Sequence, residues 1–178
     1  MRVIAGSQKG RILAGPKSAK IRPALDKVKQ AIFNILGDVE GLQVLDLFAG
    51  TGSIGIEALS RGAHFAVFAD SEPEALRLIR ENLKRTDFEK QARILKLRLP
   101  FRRFTDPPFP FDLIFVDPPY DRNLVNPTLR AIAREKILAP RGTVVVEHSP
   151  REPIEEDVGL AIIDRRKYGQ TLISFLKG

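Results

Sequence analysis

The chain contains no cysteine, one methionine and two histidines among 178 residues. Without cysteine there is no disulfide, no thiolate nucleophile and no thiolate metal site. Two histidines, His64 and His148, are too few for a histidine-cluster metal centre, so no metal is expected. No apolar run approaches the roughly 20 residues that cross a bilayer. The N-terminus lacks a basic-then-apolar leader, so a cytoplasmic, membrane-free location is the expectation. Repeats at 20–50-residue spacing and low-complexity tracts are also missing. The length suits a single domain. Few features bear on oligomerisation, and a monomer is the default expectation.

What is present is positive charge, unevenly placed. Residues 1–36 hold Arg2, Lys9, Arg11, Lys17, Lys20, Arg22, Lys27 and Lys29 against Asp26 alone. That segment equals the net charge of +7 for the whole chain, and the remainder is balanced. Such concentration favours contact with a polyanion, most simply nucleic acid. Within it, RVIA (2–5) and RILA (11–14) flank GSQKG as a hairpin would. Residues 1–23 read as an appended basic arm, too short to bury a core alone, and 24–178 as the main domain.

From residue 24 the pattern alternates between helix and strand. ALDKVKQAIFNIL (24–36) places apolar side chains at 25, 28, 32, 35 and 36, a helical stripe. VLDLF (44–48) reads as a buried strand, and SIGIEALSRG as a helix ending at Gly62. HFAVFAD follows as a strand, and PEALRLIRENLKR as a helix with Pro73 at its first position. ARILKL and FDLIFV are strands, NPTLRAIAREKIL (126–138) is helical, and GTVVVEH (142–148) is a strand. LAIIDRRKYGQTLISFL reads as two strands turning at Tyr168–Gly169. The expected fold is α/β, doubly wound and mostly parallel, with helices on both faces and a closing antiparallel hairpin.

The first strand runs into AGTGSIGIEAL, where Gly50, Gly52 and Gly55 spell G-x-G-x-x-G, and Asp70 closes the next strand 20 residues beyond Gly50. Glycines let a ligand approach the backbone, and a distal carboxylate can receive ribose hydroxyls, so this is a nucleoside site. Ile56 stands where a Walker A loop needs lysine. Asp46, four residues before Gly50, would repel a pyrophosphate but suit the ammonium and sulfonium of S-adenosylmethionine. NAD is thus the second candidate. Ser53 is read as a cap for the helix after the loop.

Asp-Pro-Pro-aromatic occurs twice, at 106–109 and 117–120. The copies flank FDLIFV, six residues at ~3.3 Å each, and so stand about 20 Å apart. In a doubly wound sheet ligands bind beyond the strands' carboxyl ends, which selects the second copy and makes the first a proline-stiffened connection. An exocyclic base amine is a poor nucleophile because its lone pair is delocalised into the ring. Acceptors on its N–H groups localise that pair. Asp117 and the Pro118 carbonyl can supply them, held by the fixed φ of Pro118 and Pro119. Tyr120 can stack on the base. Glu147 and His148 end a strand at that edge, and a lone histidine there is read as structural.

With DLFAGTGSIGIEALSRGA and VDPPY, the chain resembles class I S-adenosylmethionine-dependent methyltransferases acting on amino groups. It is similar over nearly its whole length to the bacterial 16S ribosomal RNA guanine-N2 methyltransferases of the RsmD family. MRVIAGSQKGRIL, RPALDKVKQAIFNIL and RRKYGQTLISFL match that family's opening, its RP-x-x-D-x-V-x-x-x-x-F-N segment and its closing hairpin. The resemblance implies a seven-stranded Rossmann-like sheet with an N-terminal hairpin arm. It implies a cofactor site at Asp46, Phe48, Ala49, Gly50, Thr51, Gly52, Asp70 and Ser71, and a guanine site at Asp117, Pro118, Pro119 and Tyr120. Arg2, Lys9, Arg11, Arg22, Pro23 and Lys27 would face RNA, with 16S rRNA in a partly assembled small subunit as substrate. Three positions depart from the family: Ala24 and Leu25 replace threonines, and Gln30 replaces glutamate. Where relatives place an Asp or Asn near the adenine amino group, Arg98 stands, which cannot accept that hydrogen bond. The rival readings are DNA adenine-N6 methylation, a nicotinamide-dependent oxidoreductase, and a non-catalytic RNA-binding protein.

Overall fold

The computed structural model describes residues 1–16, 23–105 and 110–178, and for residues 23–25 the backbone alone. Arg22 and the first Asp-Pro-Pro-aromatic copy lie outside the described residues. The chain divides into two compact units, Met1–Lys96 and Leu97–Gly178. The first unit carries three strands and the second four.

The first unit holds α1 (Pro23–Leu36), β1 (Gln43–Leu47), α2 (Ser53–Ser60), β2 (Phe65–Asp70), α3 (Pro73–Arg85) and β3 (Ala92–Lys96). β2 pairs in parallel with both β1 and β3. The apolar runs of β1 and β2 are buried almost end to end, as parallel strands covered on both faces must be. α3 starts with Pro73 in its first turn, where a missing N–H costs nothing. Its inner face buries Ala75, Leu76, Leu78, Ile79 and Leu83. Its outer face carries the exposed ladder Glu74–Arg77–Glu81–Arg85, whose solvent-screened pairs add little to stability.

The basic arm begins as the expected hairpin. Arg2 and Ile12 form an antiparallel bridge, and the N–H groups of Val3 and Gly10 bond the carbonyls of Arg11 and Val3. Val3 and Leu13 are 1% and 4% exposed, so the hairpin is packed into its unit. The fully buried Glu57 of α2 accepts the Ile4 and Ala5 N–H groups at 2.7 and 3.0 Å. Ser60 accepts the Gln8 N–H at its hydroxyl and donates to the Ala5 carbonyl. Gly6 lies so close to the end of α2 that an added Cβ would fall 1.7 Å from the Ser60 carbonyl oxygen, and its φ is +81°. Lys29, counted above among the positive charges of residues 1–36, is not a surface cation. It is 6% exposed and pairs with Glu57 at 3.3 Å. Burial pulls its ammonium below the usual lysine range, with Glu57 opposing.

The second unit holds β4 (Phe111–Val116), α4 (Val125–Glu135), β5 (Leu138–His148), β6 (Ala161–Tyr168) and β7 (Thr171–Lys177). β4 and β5 are parallel, while β7 lies antiparallel between β5 and β6, which is the expected closing hairpin. The sequence pattern carried the last helix to Leu138, but Lys136 takes a left-handed φ of 53° and ends it. Leu138 already pairs with Phe111, and a register shift before Leu113–Thr143 absorbs Pro140, a residue that cannot donate to a regular ladder.

Replacing Gly6 with alanine should force the arm off α2. Urea unfolding should show a loss of about 1–3 kcal/mol, whereas Gly10→Ala, with open space around it, should lose less.

Candidate active site

In the first unit, the loop from Phe48 to Gly52 leaves β1 through an unusual run of backbone angles. Phe48, Gly50 and Gly52 all have positive φ, at 60°, 56° and 75°. For a phenylalanine that is a strained conformation, of the kind concentrated at ligand sites. An added Cβ on Gly50 would meet nothing nearer than the Phe48 carbonyl oxygen at 3.9 Å, so open space lies above that backbone. Gly55 does different work: a Cβ there would fall 2.4 Å from the Phe68 ring, so the third glycine lets α2 pack on β2.

Two carboxylates organise the loop. Asp46 is 1% exposed and accepts the Gly55 N–H at 3.1 Å. Asp70 accepts the Gly50 N–H on one oxygen and the Glu72 N–H on the other, both at 2.9 Å. Each Asp70 oxygen keeps a second lone pair for a hydroxyl donor. Ala49 is buried. The exposed Ser71 lies beyond Asp70 and donates to Glu72 at 3.4 Å. The Thr51 carbonyl accepts from the Asn82 side chain at 2.9 Å. Ser53 makes no cap bond to α2, whose N-cap is Gly52. Its hydroxyl instead accepts from Lys29 at 3.1 Å. Open space over glycine, two carboxylates and no cation within 46–56 fit a nucleoside that carries positive charge better than a pyrophosphate.

Arg2, Lys9 and Lys27, with Asp26 and Gln30, line a concavity of about 540 Å³ along the arm in the same unit. Arg2 is paired loosely with Asp26 at 3.7 Å. Arg11, on the exposed side of the hairpin, is bonded to Gln8.

In the second unit, β4 delivers Asp117, Pro118, Pro119 and Tyr120 in sequence. Pro118 is buried and Asp117 is open to solvent. Tyr120 is 41% exposed, with its hydroxyl fixed at both sides: it donates to Glu147 at 2.7 Å and lies 2.8 Å from the Thr171 hydroxyl. The phenol is thus held by β5 and β7 while the ring stays accessible. Beside it, Asp121, Ser149, Pro150, Arg151 and Gln170 complete a concavity of about 350 Å³. Glu147 and Thr171 escaped the sequence reading as partners of Tyr120. Glu147 was visible only as a strand-end acid, and Thr171 gave no signal before the hairpin register was known. His148 is structural, as expected. It is 1% exposed and sits 3.0 Å from the Glu152 carbonyl and 2.9 Å from the Ser174 hydroxyl; burial lowers its proton affinity. Arg98 is exposed.

Crowding by protein atoms, and then the nearby Glu147 carboxylate, push the Asp117 carboxyl up to about 8. Glu147 is also raised by burial, against the Tyr120 hydrogen bond. Burial raises the Tyr120 phenol as well, so it stays protonated and donates. The Asp117 carboxyl keeps its proton in the native chain at pH values where the unfolded chain has released it near 3.8. The native state then binds more protons, so stability falls as pH rises through that window. An amide in place of this carboxyl could not ionise. Asp117→Asn should therefore raise the melting temperature relative to wild type more at pH 9 than at pH 4. A gain independent of pH would contradict the assignment.

The family model described as Conserved hypothetical protein 95 matches residues 1–177. A Bacillus subtilis protein, provisionally named the rRNA methyltransferase YlbH, is 37% identical over 185 residues, 99% of this chain and 98% of its own. Ribosomal RNA small subunit methyltransferase D of Escherichia coli K12 is 33% identical over 148 residues, 83% of this chain and 74% of its own. Among solved structures, an Escherichia coli protein provisionally named the methyltransferase yhhF superposes with a TM-score of 0.83 at 27% identity, covering 99% of this chain and 97% of that one. The chain belongs to the Conserved hypothetical protein 95 family, with the ribosomal RNA small subunit methyltransferase D proteins among its relatives.

Proposed function

We propose that the chain methylates the exocyclic N2 amine of a guanine in 16S ribosomal RNA, with S-adenosylmethionine as donor. The observation that carries this reading is the Tyr120 arrangement: an accessible ring pinned through its hydroxyl by Glu147 and Thr171, one proline pair after an aspartate with raised proton affinity. The relatives' names, given above, support methyl transfer to ribosomal RNA over hydride transfer.

In this reading Asp46, Phe48, Ala49, Gly50, Thr51, Gly52, Asp70 and Ser71 hold the donor, which supplies an electrophilic methyl group when bound. Asp46 faces its positive charge and Asp70 its ribose hydroxyls. The protein's remaining task is alignment and charge control at the amine. Tyr120 stacks on the base. The Asp117 carboxyl and Pro118 carbonyl oxygens accept the amine's N–H groups and localise its lone pair. Once ionised, Asp117, with its raised proton affinity, suits the proton the amine sheds. Arg2, Lys9, Arg11 and Lys27 take RNA phosphates, and Arg22 and Pro23, whose side chains are not described, belong to the same RNA-facing segment. The substrate is a partly assembled small subunit, the enzyme a cytoplasmic monomer.

The test is transfer of labelled methyl groups to small subunits from an unmodified strain, with deproteinised duplex DNA as the competing acceptor. Label should enter the RNA alone, and label entering only the DNA would refute the reading. Asp117→Ala should lower turnover at least a hundredfold. Tyr120→Ala should lower kcat/KM by roughly tenfold or more, from the ~1–3 kcal/mol of a base stack, while Tyr120→Phe, which keeps the ring but loses its tether to Glu147 and Thr171, should fall between wild type and Tyr120→Ala. Arg2→Gln, Lys9→Gln and Lys27→Gln combined should flatten the salt dependence of RNA binding, each phosphate contact contributing about 0.7–0.9 to the log–log slope. An unchanged slope would remove the arm from the interface.

A further inference from the structure

The arm and the glycine loop meet on one side chain. Asn82 lies fully buried on the inner face of α3, among Leu78, Ile79 and Leu83, where a leucine would serve packing alone. Its amide nitrogen donates to the Ala14 carbonyl at 3.0 Å and to the Thr51 carbonyl at 2.9 Å. Its oxygen accepts the Ala14 N–H at 2.6 Å. Every partner is backbone: one residue at the end of the arm's hairpin, the other between Gly50 and Gly52. The side chain thereby fixes the Thr51 peptide, and with it the path of the loop.

A second tie runs through Lys29. Its ammonium donates to the Arg2 carbonyl at 2.8 Å and to the Ser53 hydroxyl at 3.1 Å. The same lysine pairs with Glu57, which receives the Ile4 and Ala5 N–H groups. Both strands of the hairpin are therefore connected to residues of the loop, Ala14 through Asn82 to Thr51, and Arg2 through Lys29 to Ser53. The Thr51 hydroxyl also approaches the Met1 sulfur at 3.4 Å.

We propose that Asn82 is a positioning residue that joins the arm to the glycine loop, so that RNA held on the arm and cofactor held on the loop tighten each other's binding. This rests on the function proposed above. An arm displaced from α3 takes away both Ala14 bonds, leaving one Asn82 amide hydrogen and the side-chain oxygen unpaired in an apolar setting, and a buried unpaired group is costly. Whatever orders the arm therefore lowers the cost of ordering the loop. The effect must be equal in both directions.

The test uses the full chain, S-adenosylhomocysteine as the unreactive cofactor probe, and unmethylated small subunits as the RNA probe. Equilibrium dialysis of labelled S-adenosylhomocysteine gives its Kd with and without saturating subunits. In the wild type, subunits should lower that Kd about fivefold or more. In Asn82→Leu the Kd without subunits should rise about tenfold, and the subunit effect should shrink below twofold. Thr86→Val is the control for lost stability alone: the buried Thr86 hydroxyl bonds the Asn82 and Leu83 carbonyls of its own helix, so this variant should keep both wild-type values. Equal loss in Thr86→Val, or an unchanged Asn82→Leu, overturns the inference while leaving the proposed function standing. A wild type that binds no S-adenosylhomocysteine overturns both. Should Asn82→Leu not fold, hydrogen exchange on the wild type reads the same tie. Amides of residues 50–53 should gain protection when subunits are added, and unchanged protection overturns the inference.

Discussion

A carboxylate with no water around it must find donors, and Glu57 finds four. It receives the Ile4 and Ala5 N–H groups, the Arg61 guanidinium at 2.8 Å and the Lys29 ammonium. A buried ion pair replaced by apolar residues often costs little, whereas removing one partner leaves a charge stranded at several kcal/mol. Glu57 is therefore better understood as fixing arrangement than as a large net source of stability. It determines that the arm lies on α2, that α1 presents Lys29 to the same point, and that Lys29 can reach Ser53 after the glycine loop. A chain segment that composition marks as basic and RNA-seeking is, on its inner side, part of the scaffold of the nucleotide loop.

The second unit gives up stability at its strand edge. Asp117 and Glu147 bring two acids together there, where crowding and mutual repulsion favour protons over charge. Nothing in packing asks for this arrangement. It is the pattern expected when a site is arranged for chemistry rather than for stability. The phenol of Tyr120 is shared between Glu147 and Thr171, so the orientation of the ring depends on the closing hairpin. That dependence gives the antiparallel end of the sheet a role beyond capping it.

Much of this was legible before any coordinates. Alternating apolar runs announced the parallel strands, Pro73 marked the start of α3 to the residue, and Tyr168–Gly169 located the last turn. The glycine loop and its distal Asp70 were visible because backbone approach and hydroxyl binding demand those residue types. The failures have physical causes. Leu138 looked like the end of a helix because a bulged strand breaks the two-residue period. Lys29 counted as a surface cation because composition cannot see a partner 28 residues away. Ser53 looked like a cap because cap and ion-pair serines share a spelling. Asn82 gave no signal at all, being an ordinary polar residue in an amphipathic helix until the arm is folded onto it.

The central claim of the proposed function is that the glycine loop holds the methyl donor and Tyr120 holds the guanine. A crystal structure of the chain with S-adenosylhomocysteine and guanosine tests it most directly. The account predicts a base stacked on Tyr120 with its exocyclic N2 bonded to Asp117, and a cofactor on the glycine loop with its ribose hydroxyls on Asp70. A guanosine or a cofactor bound elsewhere would contradict it.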